Sequence, residues 1–150
     1  MYPGQDALSD QESAMNAIKA VGFSVLLAAL LGPPTPVRAA ALTVQDYQGV
    51  RYVTGGVGQD ERDYLKSVQH QFNLVLMFAA RSGAYLSNVH VVIQDSRGNT
   101  ALDAVADGPY FYAALPPGSY AVSASANDQI QRRRINLRAG TSSRTDFYWK

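Results

Sequence analysis

The chain has 150 residues, 47% of them hydrophobic and 17% charged, proportions that exclude a disordered, collagenous or multi-pass membrane protein. Its 13 Lys and Arg against 12 Asp and Glu leave a formal net charge of +1, so no global field points at nucleic acid or at an acidic surface. With no cysteine there is no disulfide, thiolate metal or cluster site, cysteine nucleophile, or acceptor for a lipoprotein lipid.

Ala20 to Gly32 (AVGFSVLLAALLG) is free of charge and follows Lys19. It is shorter than the about 20 apolar residues of a membrane span. Pro33, Pro34 and Pro36 stop any helix there, and Val37-Arg38-Ala39 places small residues where a signal peptidase reads. Residues 1–39 therefore read as a secretory signal peptide, with an uncleaved signal anchor as the alternative. Asp6, Asp10 and Glu12 suit a leading region poorly, whereas a start at Met15 gives a leader of ordinary length with Lys19 in front. Cleavage after Ala39 leaves about 110 residues, enough to fold without covalent staples. The mature protein is then periplasmic or secreted and not an integral membrane protein.

Residues 40–71 read as an N-terminal strand at Val50–Val53, a glycine turn at Gly55–Gly58 and one short amphipathic helix. Asp60 is the expected N-cap, Tyr64, Leu65, Val68 and Phe72 form one apolar stripe, and Arg62, Lys66 and His70 share the opposite face. From residue 72 the hydrophobic period becomes two and turns recur every 8 to 12 residues, which points to β-structure over 72–150. Leu74–Ala79 is apolar on both faces and must be covered twice, by an opposing sheet and, on this reading, by the helix. Val89, Val91 and Ile93 alternate with polar neighbours. Leu102–Ala106, Phe111–Leu115, Tyr120–Ala124, Ile135–Leu137 and Thr145–Trp149 follow between turns at Ser96–Asn99, Asp107–Pro109, Pro116–Gly118 and Gly140–Ser143. The fold class is all-β, an antiparallel sandwich of about seven strands with one helix before the core.

The segments Asn88–Ile93, Asp95-Ser96-Arg97-Gly98-Asn99, Asp107-Gly108-Pro109-Tyr110-Phe111 and Leu115-Pro116-Pro117-Gly118-Ser119-Tyr120 resemble the carboxypeptidase regulatory-like family over about residues 72–149. The resemblance implies a transthyretin-like β-sandwich used for packing, binding or assembly outside the cytoplasm. It implies no peptidase activity. Transthyretin-like hydrolases end in Tyr-Arg-Gly-Ser, but this chain ends Asp146-Phe147-Tyr148-Trp149-Lys150. Asp107, Gly108, Pro116, Pro117, Gly118 and Tyr120 form the shared structural motif, with the Tyr120 hydroxyl expected to find a backbone partner in the manner of a tyrosine corner.

Catalytic patterns are sparse. His70 and His90 form no metal-spaced pair, no G-x-S-x-G elbow occurs, and the glycine turn is followed by Asp60, Glu61 and Asp63 instead of the lysine of a phosphate loop. Neither a cofactor, a metal nor a nucleic-acid partner is expected. Two surface candidates remain. Arg132, Arg134 and Arg138 share the outward face of a strand phased by Ile135 and Leu137, suited either to solvation or to an anionic partner. Tyr110 and Tyr112 alternate against the core positions and either stand exposed or lie under the helix. The resulting expectation is a non-enzymatic exported module that binds a protein or cell-envelope component. The alternative is a glycan or small-ligand module using exposed tyrosines.

Overall fold

A computed structural model describes residues 41–150; the expected signal peptide and the choice between Met1 and Met15 lie outside the described residues. In chain order the elements are β1 (Gln45–Tyr47), β2 (Val50–Gly55), α1 (Gln59–Val68) with a 3-10 turn (Gln69–Gln71), β3 (Leu74–Ala80), β4 (Val89–Asp95), β5 (Thr100–Ala106), β6 (Tyr110–Ala114), β7 (Gly118–Ala126), β8 (Gln129–Leu137) and β9 (Ser143–Trp149). They form two sheets, β1-β2-β6-β3-β9 and β5-β4-β7-β8. The described chain is an all-β sandwich with one short helix.

The alternating strands place one apolar row from each sheet into a common core. Leu74, Leu76, Phe78, Phe111 and Phe147 come from the first sheet, and Val89, Val91, Ile93, Val122 and Leu137 from the second. Trp149 is fully buried, and its indole N–H donates to the Gln129 carbonyl at 3.3 Å, tying β9 to the start of β8 where the sheets approach. The double covering expected of β3 is present. Its even-numbered residues face this core, while Val75 lies in a second cluster with Val53, Tyr112, Phe72 and Leu65 beneath α1.

Several expectations need correction. Of the nine strands among the described residues, seven lie over 72–150 as expected and β2 is the expected strand at Val50–Val53, so β1 is the one addition. The added β1 is three residues long, lacks apolar alternation and closes on β2 through a turn in which the Gly49 N–H donates to Asp46 Oδ1 at 2.8 Å. The sandwich is not wholly antiparallel, since β9 runs parallel to β3 from Leu74↔Ser143 to Ala80↔Trp149. A strand that arrives from the opposite sheet has no hairpin to dictate its direction. Strands from either side of residue 72 share the first sheet, where β2 pairs with β6 from Arg51↔Ala114 to Gly55↔Tyr110.

The helix start differs too. Gly58, not Asp60, occupies the N-cap and offers no side-chain cap. Glu61 reaches back instead, its Oε2 accepting the Gly56 N–H at 2.8 Å and the Val57 N–H at 3.0 Å. This carboxylate near the positive helix terminus holds the glycine turn in place. Within the stripe, Leu65 and Phe72 are buried and Val68 packs beside them, but Tyr64 is exposed.

Candidate functional site

Asp107, Gly108, Pro116 and Tyr120 have structural roles in the turns they occupy. The Tyr120 hydroxyl donates to the Pro116 carbonyl at 2.6 Å, closing the Pro116-Pro117-Gly118 turn as a tyrosine corner does. Burial raises the Tyr120 phenol above its ordinary pKa, and the charge of Asp95 adds to this, so the hydroxyl remains a donor. The Asp107 backbone N–H donates to buried Thr54 Oγ1 at 3.0 Å, which docks the β5–β6 turn on β2. Gly108 is there because a Cβ would lie 2.5 Å from the carbonyl carbon and oxygen of Gly55.

The tyrosine row is covered. Tyr112 is 6% exposed, with its ring edge-on to Phe72 and packed in the cluster under α1. Tyr110 is half-buried against Gly56, where an added Cβ would meet its Cδ2 at 2.5 Å. An exposed Tyr110–Tyr112 stacking surface is therefore not what the fold presents. Open tyrosines lie elsewhere. Tyr85 and Tyr148, 57% and 48% exposed, both pair with Ala79 and so flank it in one row. The outward parity of Tyr148 along β9 was a usable sequence signal; Tyr85 sits in a connection whose pairing no local pattern reveals.

The arginine strand has the predicted phase. Ile135 and Leu137 point into the core, while Arg132, Arg134 and Asn136 are exposed on the outer face of the second sheet. Arg138 is exposed one residue beyond the end of β8. Arg133 has inward parity and sits 5.6 Å from the Phe147 ring centroid, a cation–π contact that makes it part of the core edge. Among the described residues neither Arg132 nor Arg134 joins an ion pair.

The registers complete this face. One row reads Asp103, Val92, Ser123 and Arg132; the next reads Val105, His90, Ser125 and Ile130. Gln94, Ala121 and Arg134 are neighbours in a third. Small side chains on β7 therefore floor a trough between longer ones on β4 and β8. At one end the trough opens into a cleft of about 510 Å3 bounded by Asp95, Ser96, Ser119, Arg134 and Asn136. Asp95 is engaged in its own turn, with Oδ1 accepting the backbone N–H groups of Arg97 and Asn99 at 2.9 Å each. Those bonds, the Asn99 N–H foremost, hold its carboxyl below the usual carboxylate range.

His90 Nε2 lies 2.6 Å from Asp103 Oδ1, both side chains about half exposed, and Ser125 is the cross-strand neighbour of His90. No hydrogen bond joins Ser125 to His90 among the described residues. His70 stands in the turn after α1, on the side of the first sheet, and among the described residues no group of three His, Asp or Glu side chains is placed to hold a metal. Among the described residues no helix is long and apolar enough to cross a membrane. No protein-family model and no curated protein matches the sequence.

Proposed function

We propose that this chain is a non-enzymatic, exported binding module that attaches to an acidic segment of a protein in the cell envelope through the outer face of its second sheet. The reading rests on one observation. In the first sheet α1 covers the outer face over Val53, Val75 and Tyr112, whereas among the described residues the second sheet has no helix over it and leaves a trough floored by Ala121, Ser123 and Ser125 beside Arg132 and Arg134, which join no ion pair there. A trough with small side chains admits an extended segment, and the guanidinium ridge supplies charge complementarity and orientation. Glycan binding through Tyr110 and Tyr112 is the weaker alternative, because α1 covers them.

The carboxypeptidase regulatory-like resemblance supports the same reading. A transthyretin-like sandwich with a tyrosine corner and an Asp-Gly turn is a scaffold whose function is carried by its surfaces. The leader-like sequence supports a periplasmic or secreted site of action. Charge reversal tests the proposal. A chain carrying Arg132→Glu, Arg134→Glu and Arg138→Glu should keep its melting temperature and lose retention of envelope proteins that elute from the parent as salt is raised. Undiminished, salt-independent retention would remove the arginine face from the account.

A further inference from the structure

A second cationic cluster lies on the opposite side of the molecule, where α1 crosses the first sheet. Arg62 and Lys66 are four residues apart on α1 and thus share a helix face. Tyr112 on β6 and Arg144 on β9 flank Val75 in one row of the sheet, and Tyr110 and Asp146 flank Met77 in the next. The side chains of Arg62, Lys66, Arg144, Tyr110 and Tyr112 converge on a pocket of about 140 Å3.

The lining contains three cations and no carboxylate. The nearby acids neutralise it incompletely. Asp63 Oδ1 is 3.9 Å from Lys66 Nζ, too far for a hydrogen bond, and both side chains are exposed. Asp146 Oδ1 engages Arg144 through Nε at 2.9 Å, and among the described residues the terminal guanidinium nitrogens of Arg144 have no hydrogen-bond partner. Arg62 is pinned, with Nη1 donating to the Gly56 and Val57 carbonyls at 3.1 and 3.0 Å and Nη2 to Gln59 Oε1 at 3.0 Å, so it supplies charge more than free donors. Burial raises both phenols above their ordinary pKa despite the opposing pull of Arg144, and the neighbouring Tyr85 raises Tyr110 further. Both are therefore protonated donors at neutral pH.

We propose that this pocket is a binding site for one phosphate group, held by the Arg144 guanidinium, the Lys66 ammonium and the Tyr112 hydroxyl, with Arg62 adding charge from the helix. A guanidinium, an ammonium and a phenol hydroxyl lining one pocket supply charged and neutral donors of the kind that phosphate oxygens accept. The site stands on α1 and β9, away from the arginine strand, and does not depend on the reading of that face.

The test is a titration of the full chain followed by amide nuclear magnetic resonance, using sodium phosphate, glycerol 3-phosphate and sodium chloride at one ionic strength. Saturable shifts are expected around Lys66, Tyr112 and Arg144 with inorganic phosphate, with a dissociation constant of about 1 mM or tighter. Equal or tighter binding of glycerol 3-phosphate would assign the site to a phosphomonoester, and weaker binding would assign it to the free ion. Arg144→Gln should weaken binding about tenfold. Tyr112→Phe, which removes a single oxygen and keeps the packing, should weaken it several-fold, while Arg97→Gln, at an exposed arginine of the β4–β5 turn, should leave it unchanged. Shifts that chloride reproduces, or Arg144→Gln and Tyr112→Phe chains that bind like the parent, would overturn the proposal.

Discussion

At the scale of single residues, Gly108 shows why a short motif belongs where it does. Asp107-Gly108-Pro109 is legible as a turn, because Gly and Pro punctuate a strand pattern. Its partner is not legible: the turn docks on Thr54 and Gly55, distant in sequence, and nothing in the local pattern names them. A methyl group at Gly108 would sit 2.5 Å from the Gly55 backbone, which has no flexible end to move aside. Gly108→Ala should therefore destabilise the fold by about 3 kcal/mol in urea unfolding, at the upper end of ordinary overpacking. A loss below about 0.5 kcal/mol would show that the two turns separate without cost. Tyr120 is the converse case. Its hydroxyl partner, the Pro116 carbonyl, is four residues away, and the tyrosine-corner expectation could be formed from the sequence.

At the scale of elements, α1 was recognisable from its period, and the two-sided apolarity of β3 implied that something covers it. What the period could not supply was the identity of everything beneath the helix. Tyr112 and Tyr110 alternate correctly against Phe111 and Ala113, but parity distinguishes only inward from outward, and an outward side chain is exposed only when nothing lies over it. Leu65 is the plug, 1% exposed and packed in the cluster with Val53, Val75 and Tyr112. Leu65→Ala should cost about 3 kcal/mol of stability by the same urea measurement and increase solvent access to Tyr112. A cost under about 1 kcal/mol would mean that α1 rests on the sheet without contributing to its stability. The β8 phase illustrates the other limit of parity. The sequence placed Arg132, Arg134 and Asn136 outward correctly, yet the inward position of Arg133 becomes intelligible only with the Phe147 ring beside it.

At the scale of the whole molecule, the two sheets are unequal. One is partly covered on its outer side by a helix, and the other carries a trough bordered by charge. The all-β class and most strand positions followed from alternation and turn chemistry. The parallel β9 and the β1–β2 extension of the first sheet did not, since both depend on where the chain goes after leaving a sheet and not on any local period. The trough was likewise invisible in the sequence: its floor and its ridge come from adjacent strands, and only the register sets Ala121 beside Arg134 and Ser123 beside Arg132.

The central claim, that the open face of the second sheet is the binding surface, is tested most directly by site-specific photo-crosslinking in the native cell. A photoreactive residue at Ser119, exposed on that face, is compared with one at Ser67, exposed on α1. The account predicts one reproducible protein adduct at position 119, weakened by charge reversal of the arginine ridge, and none of the same mass at position 67. Capture of that adduct from position 67 alone, or of an identical set from both, would contradict it.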